Sequence, residues 1–360
     1  MVVFAACSGD PARESQSSSG PGVDDRVAEA VDSALAGDPT LEAVRAVLVV
    51  VDGEPLLERY AGTTAEEFHP VASVTKAVVS TMVGTAVEDG LLDLDDTLAE
   101  MLPHYAEQMG PGVAKVTLEE LLTMRGGVIA NDDPDSAEIF TAPDVVAAAL
   151  ASGRGATGDF GYSGAGAHLV AAILAEATGG SVLDYAREVL FDPLAVDTEP
   201  SFEPDMGPAA IPEYMQSDFA WPVDPQGIHD GANLLKLRPR DMAALGQLYL
   251  DQGRWQGKQV VPAEWVEQAT SSHVMQGEDT VLPEFPGYGY FWDVGKLANW
   301  DAFMAIGHGG QLVAVVPELE LVAVMATELD QSDLSTDLTP GSARNVIEAA
   351  IVEGFGRRPN

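Results

Sequence analysis

Apolar positions along the chain follow two different rhythms. Near the N-terminus, Val27, Ala30, Val31 and Leu35 recur at helical spacing, which predicts an amphipathic helix over 24–36. A β-branched run over 46–51 closes at Asp52-Gly53, and a second apolar run follows over 56–61. Two such runs joined by a two-residue Asp-Gly link predict a β-hairpin. From about 71 to 280 the pattern is mainly helical and punctuated by Gly and Pro, with helices predicted over 75–88, 117–123, 143–151, 168–178, 183–190, 239–250 and 263–269. Short strand-like runs return over 289–294, 302–306, 311–316 and 321–327, and a last helix is predicted over 342–353. Strands at both ends with helices between predict an α/β (α+β) fold. One antiparallel sheet is assembled from both chain ends, flanked by terminal helices, with a mainly helical lobe inserted. The sheet lobe is expected over 23–70 plus 285–357 and the helical lobe over 71–284. No composition break or internal repeat separates them, so 23–357 reads as one unit.

The window over 71–87 departs from the amphipathic pattern. Its apolar and small residues surround the helix, and Lys76 is its single charge. A helix that is apolar all round is a buried one. Burying an ammonium is costly unless it is paired or neutralised, and desolvation lowers a lysine pKa. The chain has only five lysines (Lys76, Lys115, Lys236, Lys258, Lys296), and one stands in its most apolar helix. Ser73 lies three residues earlier, on the same helical face. A serine hydroxyl becomes a useful nucleophile when a neighbour takes its proton, and a desolvated amine can take part in that. At the helix N-terminus, Ser73 would also have backbone N–H groups at hand to hold an oxyanion. The plain alternative is a capping serine and a lysine whose stem snorkels to the surface.

Ser73-Val74-Thr75-Lys76 is followed in order by Glu88-Asp89-Gly90, Thr117-Leu118-Glu119-Glu120-Leu121-Leu122, Phe160-Gly161-Tyr162-Ser163-Gly164, Asp224-Pro225-Gln226-Gly227 and Gly307-His308-Gly309-Gly310-Gln311. Over roughly 25–355 this series resembles the serine β-lactamase-related family. That family joins class C β-lactamases, D-alanyl-D-alanine carboxypeptidases, penicillin-binding-type esterases and 6-aminohexanoate-dimer hydrolases. The resemblance implies a β-lactamase/transpeptidase-like fold and a covalent acyl-enzyme. It implies Ser73 as nucleophile, Lys76 as its partner, and Tyr162 as the phenol that exchanges protons with nucleophile and leaving group. The charge of Lys76 would favour phenolate at Tyr162. His308, Gly309 and Gly310 match the third motif, with the N–H groups of Ser73 and Gln311 as the implied oxyanion hole. Glycine at 309 and 310 is expected to let a substrate approach the backbone. Taken singly, Tyr162 could be a packed loop aromatic, His308 a turn residue and the 224–227 segment a plain turn.

One departure bears on the substrate. The second motif of β-lactamases and carboxypeptidases is typically Tyr-x-Asn, and this chain has Gly164 where the Asn would stand. Loss of one polar contact costs about 0.5–1.5 kcal/mol net. The expected function is therefore hydrolysis of a small ester or amide, as in the esterase and 6-aminohexanoate-dimer-hydrolase relatives. A β-lactamase or D-alanyl-D-alanine carboxypeptidase is the alternative, and a non-catalytic penicillin-binding-type ligand-binding module the second. A different nucleophile, Ser163 in Gly161-Tyr162-Ser163-Gly164-Ala165, approaches the Gly-x-Ser-x-Gly elbow of α/β-hydrolases but lacks a buried strand before it.

Composition narrows the partners. Acids outnumber bases 57 to 18, for a formal charge of -39. Such a surface repels nucleic acid and anionic membranes. It is quieted by salt, because the Debye length falls to about 3 Å at 1 M, which suggests a salty habitat. No cofactor is expected. The six histidines lack ligand spacing and Cys7 is the only cysteine, so no metal site is expected either. Phe4-Ala5-Ala6-Cys7 resembles the end of a bacterial lipoprotein signal, and 8–22 reads as a flexible tether, over a 1–22 tail without the usual charged start. A lipid anchor at Cys7 would place the protein in the cell envelope or outside it, and without a working signal it would be cytoplasmic. No run of 18 or more apolar residues is present to span a membrane.

Overall fold

A computed structural model describes residues 22–277, 280–330, 332 and 334–358. Cys7 and the tether up to residue 21 lie outside the described residues. The core is an eight-stranded antiparallel sheet. Its strands in chain order are β1 (Val44–Val51), β2 (Glu54–Tyr60), β7 (Val274–Met275), β8 (Gly287–Tyr288), β9 (Asp293–Leu297), β10 (Trp300–Ile306), β11 (Leu312–Val316) and β12 (Leu321–Thr327). Two short pairs stand apart from it: β3 (His69–Pro70) with β4 (Lys236–Leu237), and β5 (Arg254–Trp255) with β6 (Lys258–Gln259). The sheet order β2-β1-β12-β11-β10-β9-β8-β7 places the first strand beside the last, with Val47 opposite Met325 and Val51 opposite Leu321. The two chain ends therefore close a single sheet, as the pattern predicted. The Asp52-Gly53 link takes φ of 53° and 73°. Positive φ at both central residues gives the hairpin turn whose twist matches its strands.

Both faces of the sheet are covered, which explains why β1, β11 and β12 read as continuous apolar runs. Ala46, Leu48, Phe303, Val313, Val315, Val322 and Val324 join a core with the helices Val74–Glu88, Gly164–Thr178 and Pro239–Leu250. Their neighbours Val47, Val49, Met304, Ala314, Ala323 and Met325 point the other way, onto the terminal helices Val23–Gly37 and Pro340–Phe355. Gly246 lets the helix Pro239–Leu250 lie close on the sheet, since a Cβ there would meet Val322 Cγ1 at 2.5 Å.

The strand predicted over 289–294 is corrected by the structure. Its last two residues begin β9, and the chain turns over 289–292 instead: Gly289 N donates to Trp292 O at 2.8 Å, and Phe291 takes a φ of 64°. The aromatic run has strand propensity, but tertiary burial decides its shape. Tyr290 stacks on His273 and packs on Trp265, while Trp292 packs against Tyr249 and Phe303.

Candidate active site

Ser73 opens the helix Val74–Glu88 at the point where the chain leaves β3. Ala72, just before it, is buried with a φ of 46°, a left-handed conformation that costs a non-glycine residue of order 1–2 kcal/mol. This turn projects Ser73 away from its own helix, and its hydroxyl makes no capping bond. Ser73 Oγ instead accepts from Lys76 Nζ at 2.9 Å and donates to Asn233 Oδ1 at 3.2 Å. The N–H of Ser73 has no hydrogen-bond partner among the described residues.

Lys76 is 1% exposed, so its stem does not snorkel to water. Its amine is held between Ser73 Oγ and Ala232 O, the latter at 2.7 Å. The Tyr162 ring lies alongside, 5.0 Å from Nζ to its centroid. Tyr162 comes from a segment pinned at three points. Gly161 N donates to Met124 O at 2.8 Å, Asn131 N to Tyr162 O at 2.8 Å, and Gly164 N to Asn131 Oδ1 at 2.7 Å. The structure thus brings Ser73, Lys76 and Tyr162 together. Ser163, the rival nucleophile, is buried and caps the helix Gly164–Thr178. Its Oγ accepts from Gly166 N at 2.9 Å and donates to Ile129 O at 2.7 Å, which leaves no hydroxyl facing a substrate.

The third motif is placed differently from expectation. Gly309 and Gly310 turn toward the C-terminal segment: a Cβ at 309 would meet Leu329 Cδ2 at 2.3 Å, and one at 310 would meet Leu338 Cδ2 at 2.2 Å. A left-handed backbone (φ 76° and 81°) and packing against the C-terminal segment require glycine there. Gln311 is fully buried, and its side-chain carboxamide is spent on Thr327, donating to Thr327 Oγ1 at 2.8 Å and accepting from Thr327 N at 3.1 Å. Its backbone edge faces Gly307 across the hairpin, so the N–H expected to hold an oxyanion is turned toward its own turn. His308 has an exposed side chain. The residue that closes on the nucleophile turn is Gly307, where a Cβ would stand 2.5 Å from Val71 O and 3.1 Å from Ala72 Cβ. Gly307 N donates across the hairpin to Gln311 O at 2.7 Å. Gly307 is extended (φ -112°, ψ 156°), so the next N–H, that of His308, points to the opposite side of the strand. On that side β9 has already ended at Asp293, opposite Met304.

Sequence reasoning missed the segment over 230–234. It reaches Ser73 because β3 pairs with β4 and Val71 N donates to Leu235 O at 2.9 Å. Asp230, 1% exposed, shapes it by accepting from Ala232 N at 2.8 Å and Leu234 N at 3.1 Å. Burial pushes its carboxyl up, offset in part by the Ala232 and Leu234 N–H bonds. Beneath it His168 Nε2 donates to Asp224 Oδ2 at 3.0 Å, both fully buried, and Gly231 N faces His168 Nδ1 at 3.5 Å. His168 lies on the helix that Tyr162 precedes, so one helix aligns the phenol with this loop. The available signal was the chain's Asp230-Gly231-Ala232-Asn233 turn composition, which by itself says nothing of proximity.

A further carboxyl stands behind the phenol. Asp293 lies opposite Tyr288 across β8 and β9, and the Tyr288 ring packs edge-on against Tyr162, with centroids 6.4 Å apart. Burial pushes Asp293 up to about 7, offset in part by the bond from Gln276 Nε2 (2.7 Å) and by the charge of Lys76. A carboxyl raised above its ordinary 3.8 contributes stability that is full below that value and is lost as pH rises through about 7. Asp293→Asn keeps an acceptor for Gln276 and removes this loss. Its stability relative to wild type is expected to rise between about pH 5 and pH 8 in urea denaturation; a difference independent of pH would count against the shift.

The fold and this geometry define a β-lactamase-type hydrolase scaffold. The beta-lactamase family model matches residues 40–344, and the chain belongs to that family. It is 25% identical to the 6-aminohexanoate-dimer hydrolase of Paenarthrobacter ureafaciens over 313 residues, 80% of this chain and 73% of the relative. Its fold is similar to that of a penicillin-binding protein homolog from Caulobacter crescentus (TM-score 0.67, 19% identity, 92% of this chain and 98% of the other). It is also similar to that of EstCE1, a hydrolase with promiscuous acyltransferase activity (TM-score 0.70, 14% identity, 91% and 99%).

Proposed function

We propose that this protein is a serine hydrolase that forms an acyl-enzyme on Ser73 and acts on small esters or linear amides. The observation that carries this reading is the buried Lys76 amine, fixed between Ser73 Oγ and Ala232 O with Tyr162 alongside. The Lys76–Tyr162 pair takes the Ser73 proton as Oγ attacks the substrate carbonyl carbon. The oxyanion is held by the N–H groups of Ser73 and His308, in place of the expected Gln311. The C–O or C–N bond of the tetrahedral intermediate breaks, and the leaving group takes its proton from Tyr162. Water then adds to the acyl carbon, gives a proton to the same pair, and Ser73 Oγ departs with it. Gly164 stands where the second motif of β-lactamases and carboxypeptidases typically carries an asparagine, a departure that favours esters and linear amides over β-lactams and peptidoglycan peptides.

Mass spectrometry after treatment with a fluorophosphonate tests the nucleophile. The expected result is one adduct on the Ser73 peptide, absent in Ser73→Ala and present in Ser163→Ala. No adduct on wild type would favour a ligand-binding module instead. Short p-nitrophenyl esters, linear amides and a chromogenic cephalosporin, assayed together at high salt, test the substrate class. A cephalosporin turned over fastest would overturn the ester and amide assignment.

A further inference from the structure

The loop over 230–234 is held by groups that leave one side chain uncommitted. Asp230 binds the Ala232 and Leu234 N–H groups, and the Trp221 indole donates to Asp230 O at 2.8 Å. Gly231 is pressed onto the helix Gly164–Thr178, where a Cβ would stand 2.5 Å from Ala167 O. Ala232 gives its carbonyl to Lys76. The Asn233 side chain takes no part in this frame. It is partly exposed and meets one group among the described residues, the Ser73 hydroxyl, at 3.2 Å. Ser73 Oγ already accepts from Lys76 Nζ, so its proton goes to Asn233 Oδ1, which fixes the amide with Nδ2 on the far side. That NH2 has no hydrogen-bond partner among the described residues. It lies within roughly 5 Å of the nucleophile, given the size of an amide group.

We propose that Asn233 is a substrate-binding residue whose Nδ2–H donates to an oxygen on the acyl group, selecting acyl chains that carry an amide or other carbonyl two to four bonds from the scissile carbon. The inference rests on the acyl-enzyme reading above and deepens it. The acyl carbon becomes bonded to Ser73 Oγ, so a donor at this distance reaches groups a few bonds away. In the acyl-enzyme, once the leaving group has departed, the acyl chain is the part of the substrate still there to meet it. Gly164 supplies no competing donor. A site built to donate a hydrogen bond discriminates against an acyl chain lacking the acceptor, because the donor is then left unpaired.

The test compares two p-nitrophenyl esters with the same leaving group, the butyrate and the N-acetylglycinate. Wild type should prefer the N-acetylglycinate in kcat/KM. In Asn233→Ala, and in Asn233→Asp, which keeps the acceptor for Ser73 and loses the donor, that preference should fall by about 10-fold or more, mainly through KM. Labelling of both variants by the fluorophosphonate shows that the nucleophile turn remains folded. If wild type is labelled and the preference does not move, or both esters lose equally, Asn233 serves only Ser73 and this inference fails alone. A wild type that neither labels nor cleaves either ester overturns the acyl-enzyme reading, and the inference with it.

Discussion

Lys76→Met is expected to lower turnover about 10³-fold while leaving the melting temperature within a few degrees of wild type. The two halves of that result have separate causes. Among the described residues the amine alone bonds both Ser73 Oγ and a backbone carbonyl of the 230–234 loop, and positioned proton transfer is worth about 10²–10⁴ in rate. Stability should hold because the site around the lysine is apolar: Val78, Val79, Met82 and Leu169 are buried with it in one core. Methionine fills a similar volume and removes an ammonium whose desolvation costs several kcal/mol, against about 1–3 kcal/mol for the Ala232 carbonyl left unpaired. A variant that keeps more than about a tenth of the wild-type rate would refute the role given to the amine. A variant that unfolds would show that the lysine is a structural cross-brace between its helix and the loop.

Gly307→Ala should be nearly as damaging for a different reason. The φ of -112° at 307 suits any residue, so the substitution carries no backbone strain. Its methyl group would stand 2.5 Å from Val71 O, 2.9 Å from Gln311 Cβ and 3.1 Å from Ala72 Cβ. Val71 is fully buried and Gln311 is bonded into the sheet, so neither can yield cheaply. The β10–β11 turn must then move away from the nucleophile, carrying the His308 N–H with it. Displacement of an oxyanion donor by about 1 Å costs about 10²-fold in kcat/KM, and overpacking of this kind about 1–3 kcal/mol in stability. Gly309→Ala is the contrasting variant, and it adds backbone strain because Gly309 takes a φ of 76°. It meets Leu329 and the C-terminal segment, so it should lower stability more than it lowers the kcat of the remaining folded protein. Equal losses of kcat in the two variants would remove the distinction drawn between Gly307 and the glycines after it.

The helix that Ser73 opens was legible because its pattern is local. Ser73 and Lys76 lie one turn apart, and an all-round apolar helix with one charge declares both its burial and its exception. The terminal hairpin and the β11–β12 strands were legible for a similar reason, since β-branched runs between turn residues show their period within a few positions. The aromatic stretch Tyr290-Phe291-Trp292 misled because its burial comes from Trp265 and Tyr249, far away along the chain, and from Phe303 on β10, outside the reach of local preference.

By itself, then, the amino-acid order determined the two-ended sheet, the placing of Ser73 and Lys76 on one helical face, and the order in which Tyr162 and the third motif follow. Only the tertiary structure decided which glycine closes on the turn before Ser73, and that Asn233 and Ala232 bond to Ser73 and Lys76. The reason is the range of the forces. Helical spacing and turn preference act over a few residues, whereas the β3–β4 pairing and the Asp230 frame join groups about 160 residues apart, a closeness that only packing of the whole chain creates.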